Sequence, residues 1–203
     1  MDDQTSVRKI VFIGDSVTSR HRNLLFPSGF GYVNNIRRRL PSVWKVINRG
    51  ISGDRLVDLE RRWDKDVIAH SAHFVSIAIG VNDTWRRYDR DDPSSDQEFS
   101  DRYKRLISKT TKFFGTNIVL CEPFIIPLNA PMQQWREDLE GKLSVIRSLA
   151  AEFNLLLVPF DKEMEHLSKK YAVDLLTKDG IHPTKFGHSK MAELWLSTCE
   201  SGL

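Results

Sequence analysis

Five short, near-continuous apolar runs punctuate this chain, and a run without polar alternation can serve as a strand only where both faces of its sheet are covered. The runs are KIVFIG from Lys9, WKVINRG from Trp44, FVSIAIG from Phe74, NIVLCEP from Asn117 and LLLVPF from Leu155. Their length and Val, Ile, Leu and Phe content are those of buried strands. Between them, segments 31–40, 55–69, 97–114, 132–153 and 184–197 repeat apolar residues at three- and four-residue spacing, several after an Asp, Ser or Thr. Strands alternating with helices predict an α/β protein, a three-layer α/β/α sandwich around a five-stranded parallel sheet. The 203 residues suit one domain over 1–203 and are too few for two. No internal repeat, low-complexity tract or linker breaks the pattern.

Composition narrows the setting. Only Cys121 and Cys199 occur, without zinc-type spacing, which predicts no disulfide framework and a reducing compartment. No apolar run approaches the roughly 20 residues that cross a bilayer, and MDDQTSVRK lacks the basic and apolar regions of an export signal. A cytoplasmic protein without membrane partners is expected. The net charge is +3, and the densest basic run, IRRRL from Ile36, reads as a solvated helix face rather than a nucleic-acid surface. Two segments after strands are expected to be loops at the sheet edge where open α/β sheets build their sites: TWRRYDRDDPSSD after the third, and the proline-stiffened EPFIIPLNAPM after the fourth.

The first strand runs into FIGDSVT, where Ser16 fits two roles: a nucleophile at the positive end of a helix, or a plain N-cap. Near the other end of the chain lies KDGIHPTKFGH. Of six histidines only His182 has an aspartate three residues earlier, Asp179, and Pro183 biases His182 to an extended backbone outside the next helix. An imidazole oriented by a carboxylate is what a general base for a serine hydroxyl requires. The NRGISGDR segment after the second strand supplies Gly53, and IGVNDTW after the third supplies Asn82. A close backbone N–H and a side-chain amide could share a transient anion; both segments also read as turns, with Asp54 and Asp83 capping the helices that follow. Ser16, Gly53 and Asn82 each fall just past a strand's C-terminal end, and Asp179 and His182 follow the fifth strand. A parallel sheet brings those ends to one edge.

Those blocks, GDS at Gly14, Gly53, GVND at Gly80 and DGIHP at Asp179, in order across almost the whole chain, resemble the SGNH hydrolases, also called the GDSL esterase and lipase family. The resemblance implies a flavodoxin-like fold, Ser16 as nucleophile, His182 as base and Asp179 as the residue orienting it. It also implies an oxyanion hole from the N–H groups of Ser16 and Gly53 with the Asn82 amide, and no metal or organic cofactor. GFGYVNNI, VINRGISGDRLVDLERRWDKDVI and IGVNDTWRRYD are similar to the intracellular acetylxylan esterase branch, whose members deacetylate xylo-oligosaccharides and often assemble from dimers. The chain departs from that branch at VTSRHRN, with Arg20, His21 and Arg22 in place of a more acidic or small-residue turn.

The expected activity is hydrolysis of small acyl (acetyl) esters of carbohydrates, such as acetylated xylo-oligosaccharides, by an acyl-enzyme route, on a small-molecule substrate and with homodimers or higher oligomers as an expected assembly. Asp15, Trp85, Arg86 and Tyr88 are candidate substrate contacts; an oligomer contact suits the last three equally. A lysophospholipase or thioesterase would use the same catalytic groups but needs an apolar groove, which EPFIIPLNAP could line. A binding module on the same fold would have lost one essential group, and none is missing. His70 and His73 belong to the opposite edge, His188 reads as a packing or capping residue, and Glu122 as support for its loop.

Overall fold

Each apolar run is a strand in the computed structural model, which describes residues 7–115 and 117–203. These strands are β1 (Arg8–Gly14), β2 (Trp44–Gly50), β3 (Phe74–Ala78), β4 (Ile118–Cys121) and β5 (Leu156–Val158). Residues 1–6, which carry most of the segment bearing on export, lie outside the described residues. All pairings are parallel, in the order β2-β1-β3-β4-β5, the flavodoxin-like arrangement. The register aligns Gly50, Gly14, Ala78, Cys121 and Val158 in one row, so the chain leaves every strand at the same rim.

The absence of polar alternation has its expected cause. Ile10 and Phe12 of β1 point into one core with α2 (Tyr32–Arg37), α7 (Phe160–Lys170) and α9 (Lys185–Cys199). Val11 and Ile13 of the same strand point into a second core with α3 (Leu56–Asp66), α5 (Asp96–Phe114) and α6 (Ala130–Glu152). Each such side chain, fully buried, contributes about 1.5–3 kcal/mol. The two large indoles inside, Trp63 and Trp195, satisfy their N–H groups on Thr110 Oγ1 and Ser76 Oγ, both at 3.0 Å. Cys121 and Cys199 are buried and free. Among the described residues no helix is long and apolar enough to cross a membrane.

Four helices differ from expectation. The segment after β3 is not a loop at its start: Val81–Arg90 forms α4, whose Val81, Trp85 and Tyr88 make a narrow apolar stripe beneath a dense charged surface. After β5 come α7 and the short α8 (Val173–Leu176); Phe160, Met164 and Leu167 give α7 a helical stripe that adjoins the strand directly. Finally, α6 begins at Ala130, two residues before the expected start, because Asn129 accepts from Met132 N–H at 3.0 Å and Pro131 fits the first turn. Arg37, Arg38 and Arg39 lie exposed at the end of α2.

Candidate active site

Leaving β1, the chain turns into the four-residue α1 (Ser16–Ser19). Asp15, not Ser16, caps it, its carboxylate accepting Val17 N–H at 2.9 Å. The Ser16 hydroxyl is thereby free, and it stands 2.8 Å from His182 Nε2, 166 residues away in sequence. His182 Nδ1 lies 2.6 Å from Asp179 Oδ2. A carboxylate only accepts, so the imidazole proton sits on Nδ1 and leaves Nε2 to accept from Ser16.

The loop carrying His182 is built largely from its own backbone. Asp179 Oδ1 accepts the N–H groups of Ile181 at 3.0 Å and His182 at 2.7 Å, and Thr177 Oγ1 donates to His182 O at 2.9 Å. Partial burial alone would raise the Asp179 pKa, but the His182 N–H, the His182 ring and the Ile181 N–H outweigh it and draw the carboxyl down to about 2. Asp179 is therefore ionised at any working pH. Gly180 has φ +82°, and a Cβ there would lie 2.4 Å from Ile126 O. The tight approach lets Ile126 N–H donate to Gly180 O at 2.9 Å, fastening this loop to the one after β4.

On the other side of Ser16 the ties are long-range and buried. Asn82, in the first turn of α4 and 3% exposed, donates from Nδ2 to Asp54 O at 3.0 Å. One amide hydrogen is so used; the other has no partner among the described residues. Its neighbour Asp83 corrects an expectation: it does not cap α4 but accepts Leu56 N–H with both oxygens at 3.2 Å, serving the first turn of α3. Burial, above all, raises Asp83 to about 7. Asp54 likewise does not cap α3; it pairs with Arg62 at 2.7 Å. Consecutive residues of α4 thus hold the segment that follows Gly53, an exposed residue at φ +87°.

Two ties escaped the sequence reading. Asn48 of β2 donates to Thr18 O at 2.8 Å, pinning α1, and Arg62 of α3 donates to Arg49 O at 2.8 Å and Gly14 O at 3.3 Å. Ile51 N–H donates to Gly14 O at 3.0 Å, so the loop after β2 lies against the turn that bears Ser16. Nothing in local spacing marks either side chain, since both act on carbonyls distant in sequence.

Trp85, Arg86 and Tyr88 lie on α4. Trp135 of α6, also unforeseen, joins them, its ring centroid 5.6 Å from Trp85 and 5.7 Å from Tyr88. Arg86 lies over Trp85 and pairs with Asp89, and its Nη2 is 3.9 Å from where a Gly53 Cβ would be. Asp15 is not a surface contact: it is 3% exposed, raised to about 7 chiefly by burial, and with Glu122 lines a small, partly open pocket of about 20 Å³. Glu122 is bound by Arg147 Nε at 2.7 Å, in keeping with a supporting role. His73 Nδ1 accepts Lys9 N–H at 3.2 Å at the far edge, and buried His188 accepts Tyr32 N–H at 3.1 Å. Among the described residues no cluster of His, Cys, Asp and Glu could hold a metal ion.

A model of the GDSL-like lipase/acylhydrolase family matches residues 12–190. An acetylxylan esterase from Geobacillus stearothermophilus is 33% identical, covering 94% of this chain and 93% of its own. The crystal structure of Axe2, an acetylxylan esterase from Geobacillus stearothermophilus, superposes with a TM-score of 0.87 at 31% identity, covering 95% of this chain and 94% of the other. A structure described as a GDSL-like lipase from Parabacteroides merdae gives a TM-score of 0.90 at 30% identity over 96% of both chains. Thioesterase 1/protease 1/lysophospholipase L1 of Escherichia coli is 23% identical over 93% of this chain and 81% of its own.

Proposed function

This chain belongs to the GDSL-like lipase/acylhydrolase family, whose members are ester hydrolases, and we propose that it removes acetyl groups from acetylated xylo-oligosaccharides through an acetyl-serine intermediate. One observation carries the reading: the unbroken line from the Ser16 hydroxyl to His182 Nε2 at 2.8 Å and from His182 Nδ1 to Asp179 at 2.6 Å. In this scheme Ser16 Oγ attacks the ester carbonyl as its proton passes to His182 Nε2. The negative oxygen so formed accepts from the N–H groups of Ser16 and Gly53 and from the second Asn82 amide hydrogen. His182 returns the proton to the departing sugar oxygen, the acetyl group stays on Ser16, and water activated by His182 releases acetate. Asp179, ionised throughout, holds the ring in the required tautomer and balances its charge when protonated. Trp85, Tyr88 and Trp135 would give the sugar an aromatic face.

The small acyl group is supported by the loop after β4. Phe124, Ile125 and Ile126, the residues that could have lined a groove for a long chain, are 4%, 3% and 8% exposed and belong to the core. Hydrolysis is therefore expected to fall steeply from acetyl to octanoyl p-nitrophenyl esters. The direct test is acetate release from acetylated xylo-oligosaccharides by the wild type and by Ser16→Ala. The reading expects release by the first and none by the folded second; equal release by both would end it.

A further inference from the structure

The turn after the nucleophile helix holds a cation that the hydrolytic scheme does not use. Arg20 N–H donates to Ser16 O at 2.9 Å, so Arg20 stands one helical turn beyond the nucleophile. Arg20 and His21 both take left-handed backbone, with φ 29° and 59°, at a cost of order 1 kcal/mol or more each for residues other than glycine. Phe30 N–H donates to Arg20 O at 2.9 Å and Arg22 N–H to Ser19 O at 2.8 Å, which fixes this turn.

Arg20 is wedged against His188. A Cβ placed on Gly31 would lie 2.8 Å from Arg20 Cβ and 2.9 Å from His188 Cε1, so both side chains border one small space. Burial first, then the charges of Arg20 and His182, hold His188 neutral with a pKa of about 3. The same neighbourhood thus contains Arg20, His188 and the His182 that contacts Ser16. His188 Nδ1 accepts from Tyr32, which puts its proton on Nε2, and that buried atom has no partner among the described residues.

The other arginines around the site are engaged: Arg22 with Gly50 O, Arg49 with Asp66, Arg55 with Asp92, Arg62 with Asp54 and Asp66, and Arg86 with Asp89. Arg20 is half-buried, and among the described residues its guanidinium pairs with no carboxylate and makes no hydrogen bond. Asp179 is committed to His182. A guanidinium presents a planar fork of donors suited to carboxylate or phosphate oxygens, and a cation one helical turn beyond the nucleophile also draws anionic ligands toward the site.

We propose that Arg20 forms a subsite for an oxyanion carried by the substrate, so that the enzyme favours acetyl esters bearing a carboxylate or phosphate group near the scissile bond. The inference rests on the esterase reading and adds to it a charge preference set by the turn that follows the nucleophile helix.

Two matched substrate pairs test it. One is an acetylated xylo-oligosaccharide with and without a uronic acid substituent next to the acetyl group; the other is an acetylated xylose with and without a phosphate on the adjacent hydroxyl. For the wild type, kcat/KM is expected to favour the charged member of one pair by about 10-fold, the worth of one charge-assisted contact. Arg20→Gln should bring that ratio near one, Arg20→Lys should retain part of it, and added salt should shrink it in the wild type. The pair that responds identifies the oxyanion as carboxylate or phosphate. A wild-type ratio near one in both pairs, or a ratio unchanged in folded Arg20→Gln, overturns the proposal. Failure to hydrolyse any of the four, by a protein whose melting curve shows it folded, overturns the esterase reading and this inference with it.

Discussion

The two halves of the site are built differently. The His182–Asp179 half sits on an open loop, with Asp179 side chain 52% and His182 side chain 30% exposed, and its defining bonds join residues at most five apart in sequence. The half around Asn82 is 3% exposed and is held by side chains reaching across 28 and 27 positions to Asp54 and Leu56. The first half can be disturbed without touching a core. The second is part of the joint between α3, α4 and the sheet, so loss of function there should come with loss of stability.

Substitutions can break that contrast. His182→Ala should lower acetate release about 10⁵- to 10⁶-fold, with Ser16→Ala/His182→Ala no worse than either alone, because the two act as one unit. Its melting temperature should stay close to the wild type's. Asp179→Asn, which removes the charge and allows the wrong imidazole tautomer, should cost about 10⁴-fold in kcat, with a loss of stability smaller than that of Asn82→Ala because solvent screens the exposed charge it removes. Asn82→Ala should cost less in rate, about 10²- to 10³-fold, yet destabilise by about 1–3 kcal/mol, since Asp54 O would lose its buried partner. Urea denaturation of the three variants decides: if Asp179→Asn is as destabilised as Asn82→Ala, the two halves do not differ as described.

The smallest effect is in pH. Burial raises Asp83 from 3.8 to about 7, so the folded state binds its proton more tightly than the unfolded chain. That contribution to stability is complete below about pH 4 and is lost as the pH rises toward 7. Asp83→Asn, still able to accept Leu56 N–H, should therefore show a smaller fall in melting temperature between pH 5 and pH 8 than the wild type, while Asp15 keeps its own slope in the same direction. An identical fall in both proteins would mean Asp83 is not carrying a proton in the fold.

The same contrast governs what the sequence makes legible. The local half is readable: Asp179 three residues before His182, with Pro183 behind it, is a pattern confined to one loop. The five strands are readable too, because burial on both faces leaves a continuous apolar run. The braced half resists such reading. Asn82 and Asp83 are visible as residues, but that they reach back to Asp54 and Leu56 depends on how α4 lies against α3. Arg62 and Asn48 bind carbonyls of other elements and leave no periodic trace. The helix α4 itself hides behind its charges, because only a narrow stripe through Trp85 and Tyr88 meets α6. Ser16 and Asp15 show the limit within one dipeptide: both are good capping residues, and only the backbone direction at the end of β1 decides that Asp15 caps and Ser16 faces His182.

Covalent trapping tests the central claim most directly. A fluorophosphonate reagent, followed by intact-mass and peptide mass spectrometry, should add one label per chain, on Ser16, quickly in the wild type and far more slowly in His182→Ala. A label that lands on another residue, or that reaches Ser16 at the same rate without the imidazole, would contradict the account.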